Sequence, residues 1–226
     1  MTIDFEKLRQ GKLYDFLMGL PLIYWFGYVG TVQARPNLAA AARGVLATPG
    51  SLYANLVFCS IFASIAFNLL TIYLVIARTP PVRRSKGVWG RFFGFTGTFL
   101  GVGILRLPVA HLSLPWQALS AAMILGGSLG SVIVLSKLGK SFAIMPEARE
   151  LVTGGPYAYA RHPLYTVEII SVTGTAILYQ QPWAALLAAG VLTLLVTRSF
   201  FEEQVLSAQF PEYAEYRRRV KRFGFI

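Results

Sequence analysis

Residues 151–165 concentrate side chains that can bind a ligand carrying both a flat ring and charge. The stretch reads Leu-Val-Thr-Gly-Gly-Pro-Tyr-Ala-Tyr-Ala-Arg-His-Pro-Leu-Tyr and includes His162, one of two histidines in the chain. Glycine and proline restrict the backbone, while the tyrosine rings and Arg161 place flat apolar faces beside a positive charge. A rigid, partly dry loop of this kind at the start of an apolar helix suits such a ligand.

A second group of ionisable residues, Arg198, Glu202 and Glu203, stands at the end of the last long apolar run. Arg198 and Glu202 are four residues apart, so they share one face of a helix. Ionisable groups at membrane depth frequently mark function, yet at a helix end long side chains reach water easily. The residues alone leave both interpretations open.

Other candidate residues point less clearly to chemistry. His162 taken alone is more typical of an interfacial loop residue than of a catalyst. His111 is predicted to lie on the opposite side of the membrane, so it provides no second histidine for a metal. Cys59 is the single cysteine and lies in an apolar run. We therefore predict neither a metal site nor a disulfide. Glu168 can pair with Arg198 or face a cavity, and the pattern does not choose between these.

The elements that must position these residues are membrane helices. The chain is 55% hydrophobic and 14% charged, with a mean hydropathy of +0.55, which is too apolar for a soluble domain. Several stretches approach the roughly 20 residues that cross a hydrocarbon core of about 30 Å. We predict an all-α, polytopic transmembrane helical bundle with about six spans: Leu13–Gln33, Leu52–Ala77, Phe92–Leu112, Trp116–Leu135, Leu164–Tyr179 and Trp183–Phe200.

The organisation predicted along the chain is a single membrane domain over residues 1–226. Residues 1–135 hold the first spans and a basic loop, and residues 136–226 are expected to bind cofactor and substrate. The short connection Gln180-Gln181-Pro182 predicts an antiparallel hairpin of the last two spans. Glycines at spacings of three and four predict close helix packing in the third and fourth spans: Gly90, Gly94, Gly97 and Gly101, and Gly126 with Gly130.

The distribution of lysine and arginine predicts that both termini are cytosolic. With the N-terminus inside, all but Arg35, Arg43 and Arg106 of the 21 Lys and Arg residues fall on inner segments. This asymmetry and contact with anionic lipid headgroups account for the formal charge of +11, so we predict membrane lipids and not nucleic acid as partners.

The end of the chain has the pattern of an amphipathic cytosolic helix. Apolar and aromatic residues recur there every three or four positions: Leu206, Phe210, Tyr213, Tyr216, Val220 and Phe223. Pro211 predicts a bend after Phe210, because proline favours the first turn of a new helix. The basic run from Arg217 to Arg222 suits contact with lipid headgroups.

Two motifs in fixed order resemble the isoprenylcysteine carboxyl methyltransferase family and the related phospholipid methyltransferases. The first is Gly155-Pro156-Tyr157 followed by Arg161-His162-Pro163-Leu164-Tyr165. The second, after a hairpin, is Arg198 with Glu202-Glu203, Leu206, Tyr213 and Tyr216. The resemblance covers roughly residues 136–223. It implies an integral membrane methyltransferase that uses S-adenosylmethionine and acts on a lipid-like or amphipathic acceptor, such as an isoprenylcysteine-like carboxylate, a phospholipid amine or a thiol.

The resemblance also implies roles for individual residues. By motif position, the cofactor would be lined by Leu151, Val152, Tyr157, His162, Pro163, Leu164, Tyr165 and Glu202, and Arg198 would meet the substrate. Aromatic faces and a carboxylate suit the sulfonium cation of the cofactor. A carboxylate acceptor would need a cationic anchor, which Arg198 can provide, whereas an amine would need a base, for which Glu203 is the nearest candidate. Arg198 and Glu203 are therefore the candidate catalytic residues, and the acceptor type stays open.

The chain departs from the family pattern at two positions. Arg149 stands where these enzymes often have histidine, and Val167 stands where they usually have glycine, which raises the question of how the helix packs there. Two other functions remain open: a membrane reductase of the sterol-reductase type using NADPH, and a non-catalytic scaffold or transporter. The near absence of charge within the spans counts against an ion path.

Overall fold

Helices form nearly all the regular structure in the computed structural model, which describes residues 11–84 and 88–224. In chain order they are α1 (Lys12–Tyr28), α2 (Ala34–Ala47), α3 (Leu52–Ala77), α4 (Val88–Leu100), α5 (Leu114–Leu138), α6 (Pro163–Ile177), α7 (Trp183–Gln209) and α8 (Tyr213–Arg219). A π-helical turn, Val29–Gln33, joins α1 to α2, and 3-10 turns occupy Gly101–Arg106, Gly139–Ser141 and Gly155–Ala158. The predicted all-α bundle is confirmed, as is the break after Phe210 that separates α7 from α8.

Three helices among the described residues are long and apolar enough to cross a membrane. They run over Leu52–Ala77, Leu114–Ser141 and Trp183–Gln209, with 26, 28 and 27 residues. At a rise of 1.5 Å per residue the shortest measures roughly 39 Å, which exceeds a hydrocarbon core of about 30 Å. These helices correspond to the second, fourth and sixth predicted spans and make the protein an integral membrane protein.

The other three predicted spans form shorter apolar helices beside the long ones. Helix α1 has 17 residues and α6 has 15, and a third apolar helix covers Phe92–Arg106. A helix of 15 residues rises only about 22 Å. The chain leaves the helix at Arg106, earlier than predicted, and Val109 then bridges to Tyr179. Helix α2 was not predicted, because its alanine-rich sequence between the first two spans carries no clear apolar face.

Close packing of α5 on α6 explains why valine is accommodated at position 167. A β-carbon on Gly130 would lie 2.7 Å from the Val167 side chain, and one on Gly127 would lie 2.6 Å from the Ser171 β-carbon. Glycine at both positions of α5 therefore creates the space that the α6 side chains fill. Gly126 was predicted to share this face, but a β-carbon there would meet nothing within 4 Å, so Gly127 takes its place in the contact.

A two-stranded ribbon links the basic loop to the segment before α6. Strand β1 (Arg83–Arg84) pairs antiparallel with β2 (Glu147–Ala148), with Arg83 opposite Ala148. The Arg83 guanidinium Nη1 also donates a 2.8 Å hydrogen bond to the Ala208 carbonyl, near the end of α7. The ribbon thus ties the loop after α3 to the elements that carry both sequence motifs.

Buried ion pairs join α1, the end of α3 and β2. Asp15 in α1 pairs with Arg78 Nε at 2.8 Å and with Arg149 Nη2 at 3.0 Å, and Arg149 also pairs with Glu147 at 2.7 Å. The Asp15, Arg78 and Arg149 side chains are at most 7% exposed. A desolvated charge needs an opposite charge nearby. Removal of any one of these side chains would therefore leave a buried charge without its partner.

We expect Asp15→Ala to lower the free energy of unfolding by about 3 kcal/mol or more, because it leaves Arg78 and Arg149 buried with one shared partner removed. Equilibrium unfolding in mixed detergent micelles measures the change. Glu215→Ala is the matched control, since its pair with Arg219 is exposed at both ends and should contribute less than about 1 kcal/mol. Equal effects of the two substitutions would contradict the role of the network.

Candidate functional site

A 3-10 turn at Gly155–Ala158 shapes the loop that leads into α6. Gly155 has a φ of +63°, a conformation that favours glycine. A β-carbon there would also lie 3.0 Å from the Lys137 side chain, which would have to shift. The turn buries Tyr157, whose carbonyl accepts a 2.6 Å hydrogen bond from the Tyr216 hydroxyl of α8. Burial raises the pKa of Tyr157 and raises the pKa of Tyr216 to about 12, so both phenols stay neutral near pH 7.

His162 precedes α6 and connects it to α7. Pro163 follows as the first helical residue, where its fixed φ suits the helix start. The imidazole stacks on Tyr165 with ring centroids 5.3 Å apart and planes 7° from parallel. Its Nε2 lies 3.2 Å from Glu203 Oε1 and its Nδ1 lies 3.7 Å from Glu202 Oε2. One histidine therefore contacts both glutamates of α7.

The Glu202 carboxylate is the point at which the two sequence motifs meet. Its Oε1 accepts a 2.5 Å hydrogen bond from the Tyr165 hydroxyl and a 2.8 Å bond from Arg198 Nε. Arg198 Nη2 donates in turn to the Ala143 carbonyl at 3.0 Å, and the guanidinium carbon lies 5.2 Å from the Tyr165 ring centroid. Side chains separated by about 40 positions along the chain thus form one bonded cluster.

This cluster lies in the wall of a cavity, here called the loop cavity. Its empty volume is about 780 Å³ counted to the open mouth. Seven of the eight residues predicted to contact a cofactor line it: Leu151, Val152, Tyr157, His162, Leu164, Tyr165 and Glu202. Arg198 lines it as well, whereas Pro163 does not.

Sequence reasoning missed several residues of the loop cavity. Ala143, Met145 and Glu147 belong to its wall, and they precede the motif stretch. A strand of two residues carries no periodic signal, so nothing in the pattern showed that β2 would bring them there. Leu206, Tyr213 and Tyr216, which belong to the second motif and to the predicted amphipathic helix, also line this cavity.

Glu203 lies outside the loop cavity although it follows Glu202 directly. Successive residues on a helix point about 100° apart. Glu203 accepts bonds of 3.0 and 2.9 Å from Arg222 and pairs with Arg161 at 3.3 Å, and it is 4% exposed. Backbone bonds from Arg161 and His162 to Lys221 and Arg222 complete this contact. Glu203 therefore ties the segment after α8 to the loop, a position that does not favour proton exchange with a substrate.

A second cavity, here called the helix cavity, lies among α1, α3, α4, α5, α6 and α7. Its empty volume is about 950 Å³ counted to its opening, and Glu168 and Arg198 both line it. Phe142, Leu164 and Arg198 line the loop cavity too, so these three side chains form the partition between the two. Ser171 lines the helix cavity and also a larger third cavity with an empty volume of about 1960 Å³.

Comparison with known proteins gives a family match to the part of the chain that contains both sequence motifs. Residues 115–213 match the family model of the phospholipid methyltransferases. The resemblance predicted from the two motifs is confirmed over these residues, which run from the start of α5 to the first residue of α8. Within the described ranges, no group of three or more His, Cys, Asp or Glu residues is placed to hold a metal ion.

Two curated relatives are similar to parts of the chain. The nickel-cobalt-cadmium resistance protein NccN of Alcaligenes xylosoxydans xylosoxydans is 29% identical over 148 residues, which cover 62% of this chain and 64% of that protein. The cobalt-zinc-cadmium resistance protein CzcN of Cupriavidus metallidurans is 35% identical over 74 residues, which cover 32% of this chain and 34% of that protein. The chain thus spans less than two thirds of the length of either relative.

We expect Glu203→Gln to release the segment after α8 from the loop, because the amide cannot balance the charges of Arg222 and Arg161. In detergent micelles, trypsin should then cleave between Arg217 and Arg222 several times faster in the variant than in the wild type. Mass spectrometry of the products over time measures the cleavage rate. Glu215→Gln, on the exposed face of α8, serves as the control. Equal cleavage rates in the two variants would contradict the structural role of Glu203.

Proposed function

We propose that this protein is a membrane methyltransferase that uses S-adenosylmethionine and methylates a lipid-like or amphipathic acceptor. One observation carries the proposal. A fixed carboxylate, Glu202, lies beside the stacked rings of His162 and Tyr165 in the wall of one cavity. The segment that matches the phospholipid methyltransferases contains all three residues. A carboxylate among aromatic rings suits a sulfonium cation.

The apolar lining of the loop cavity fits the ring part of the cofactor as well. Leu151, Val152 and Tyr157 provide apolar and aromatic surface for a ring. The Arg149 side chain is fully buried and paired with Asp15 and Glu147, so we assign it to the ion-pair network and not to the cofactor. Arginine in place of the family histidine at position 149 agrees with that structural role.

The protein residues have distinct tasks in the proposed reaction. When bound, the cofactor supplies an electrophilic methyl group on a sulfonium sulfur. Glu202 stays in one orientation because Tyr165 and Arg198 both donate to it, so its charge need not reorganise during transfer. Phe142 and Leu164 exclude water at the partition, and Arg198 meets the acceptor there. In this proposal the acceptor enters the helix cavity from the bilayer, and the loop cavity opens to the cytosol. The distribution of lysine and arginine, which predicts cytosolic termini, supports that orientation.

Binding of S-adenosylhomocysteine by the purified protein tests the proposal directly, and His162→Ala should weaken that binding. Sinefungin is a cofactor analogue with a positively charged amine, whereas the thioether of S-adenosylhomocysteine is neutral. Glu202→Gln should lower the affinity for sinefungin by a factor about ten times larger than the factor for S-adenosylhomocysteine. Isothermal titration calorimetry measures both affinities, with Glu215→Gln as the control. Binding of NADPH in place of S-adenosylhomocysteine would support a reductase, and binding of neither would remove the enzymatic proposal.

We expect Arg198→Ala to reduce methyl transfer by about 100-fold while S-adenosylhomocysteine affinity falls much less, because Arg198 meets the acceptor and orients a charge during the reaction. Membranes that contain the variant are incubated with methyl-labelled S-adenosylmethionine, and the labelled lipid fraction is quantified. Calorimetry on the same preparation gives the affinity. Loss of cofactor binding with an intact fold would assign Arg198 to the cofactor instead.

A further inference from the structure

Glu168 is an ionisable side chain of the helix cavity that the proposed function leaves without a role. It lies on α6 one turn after Leu164, with Ser171 and Val172 on the same face, and all four residues line this cavity. Leu164 belongs to the partition with the loop cavity. Glu168 is therefore about 6 Å along the helix axis from the border at which the two ligands would meet.

The Glu168 carboxyl has no direct partner among the described residues. Its side chain forms no hydrogen bond and no ion pair within the ranges 11–84 and 88–224, although it lines the helix cavity together with Arg198. Arg198 is bonded elsewhere, because its Nε donates to Glu202 and its Nη2 donates to Ala143. A carboxyl group in an apolar helical bundle without a bonded cation ionises most easily when a cationic ligand binds beside it.

Two hydroxyl groups that line the helix cavity with Glu168 have already used their protons. Ser131 Oγ donates to the Gly127 carbonyl at 2.8 Å, and Thr71 Oγ1 donates to the Phe67 carbonyl at 2.8 Å. Each of these two hydroxyls has one proton, so each offers a ligand only its lone pairs. An ammonium group, which donates three hydrogen bonds and accepts none, matches these two groups.

The cavities leave space for the remainder of an amphiphile. Ser171 lines both the helix cavity and the third cavity, so a ligand with its head group at Glu168 can continue past Ser171. The third cavity is bounded by α2, α3, α5 and α6, and apolar residues such as Val57, Ile61 and Leu178 line it. An acyl or alkyl chain is the group that this surface would accommodate.

The geometry points to Glu168 as the residue that binds the acceptor's ammonium head group and takes its proton before methyl transfer, a role that rests on the proposed function. One N–H bond of the ammonium breaks, its electron pair stays on nitrogen, and the proton moves to a Glu168 oxygen. The neutral amine nitrogen then forms the N–C bond with this pair while the S–C bond of the sulfonium breaks, and that pair stays on sulfur. The products are a methylated ammonium, a neutral thioether and protonated Glu168, so charge is conserved.

Binding of octylamine and octanoate to the cofactor-free protein in nanodiscs tests the recognition step. Calorimetry, corrected with empty nanodiscs, should show tighter binding of octylamine than of octanoate by the wild type. Glu168→Gln keeps the side-chain volume and should lower the affinity for octylamine at least tenfold. The affinity for octanoate should stay the same or increase. Glu215→Gln should bind both probes like the wild type. Unchanged octylamine binding in Glu168→Gln overturns the assignment.

Transfer to octylamine tests the proton step. With methyl-labelled S-adenosylmethionine and saturating octylamine, Glu168→Gln should be about 100-fold slower than the wild type, because general-base catalysis contributes 10²- to 10⁴-fold. Glu168→Asp should recover part of this loss. An equal rate for Glu168→Gln and the wild type under saturation overturns the proton-accepting role.

The cofactor affinity separates this inference from the proposed function. Glu168→Gln should bind S-adenosylhomocysteine and sinefungin within about twofold of the wild type. A selective loss of sinefungin would overturn the inference by assigning Glu168 to the sulfonium. If the wild type itself binds no S-adenosylhomocysteine, the proposed function fails, while the octylamine comparison still shows whether Glu168 holds an ammonium.

Discussion

The Glu202 carboxylate, held by Tyr165 on α6 and Arg198 on α7, is the interaction on which the geometry of the site depends. A carboxylate removed from water needs hydrogen-bond donors from the protein, and two donors to one oxygen of Glu202 satisfy that requirement. The same arginine reaches the Ala143 carbonyl, so the segment before β2 is fixed by the same contact. Three parts of the chain, the start of α6, the end of α7 and the loop after α5, are thereby set around one cavity.

The adjacent Glu203 points in a different direction from Glu202, because successive residues of a helix lie about 100° apart around its axis. Glu202 faces the loop cavity, whereas Glu203 faces Arg222 and Arg161. His162 contacts both, so the segment after α8 and the cavity wall are mechanically connected. Two adjacent glutamates therefore have different surroundings: Glu202 lines the loop cavity, and Glu203 is buried among basic residues that hold the segment after α8 against the loop.

The parts of the site that were predictable are those with local signals. Tyr157, His162 and Tyr165 follow from a compact motif before a helix, and Arg198 with Glu202 from a spacing of four. The Asp15–Arg149 pair was not predictable, because its members are 134 positions apart and neither is marked by periodicity. The packing of Val167 needed its partner Gly130 on another helix, and the choice between the two interpretations of Glu168 needed the cavity itself.

The partition of Phe142, Leu164 and Arg198 separates two cavities with different chemistry. On one side lie Glu202, His162 and the Tyr157 ring, which suit a cationic ligand that carries a flat ring. On the other side lie Glu168 and the hydroxyls of Ser131 and Thr71, whose protons are already bonded, together with apolar side chains. A membrane enzyme that joins a water-soluble donor to an amphiphile must keep the two in separate environments and let them touch at one place. Arg198 lies at the border of the two cavities and donates a hydrogen bond to Glu202 of the loop cavity. A displacement of Glu202 therefore acts directly on a residue that also lines the helix cavity.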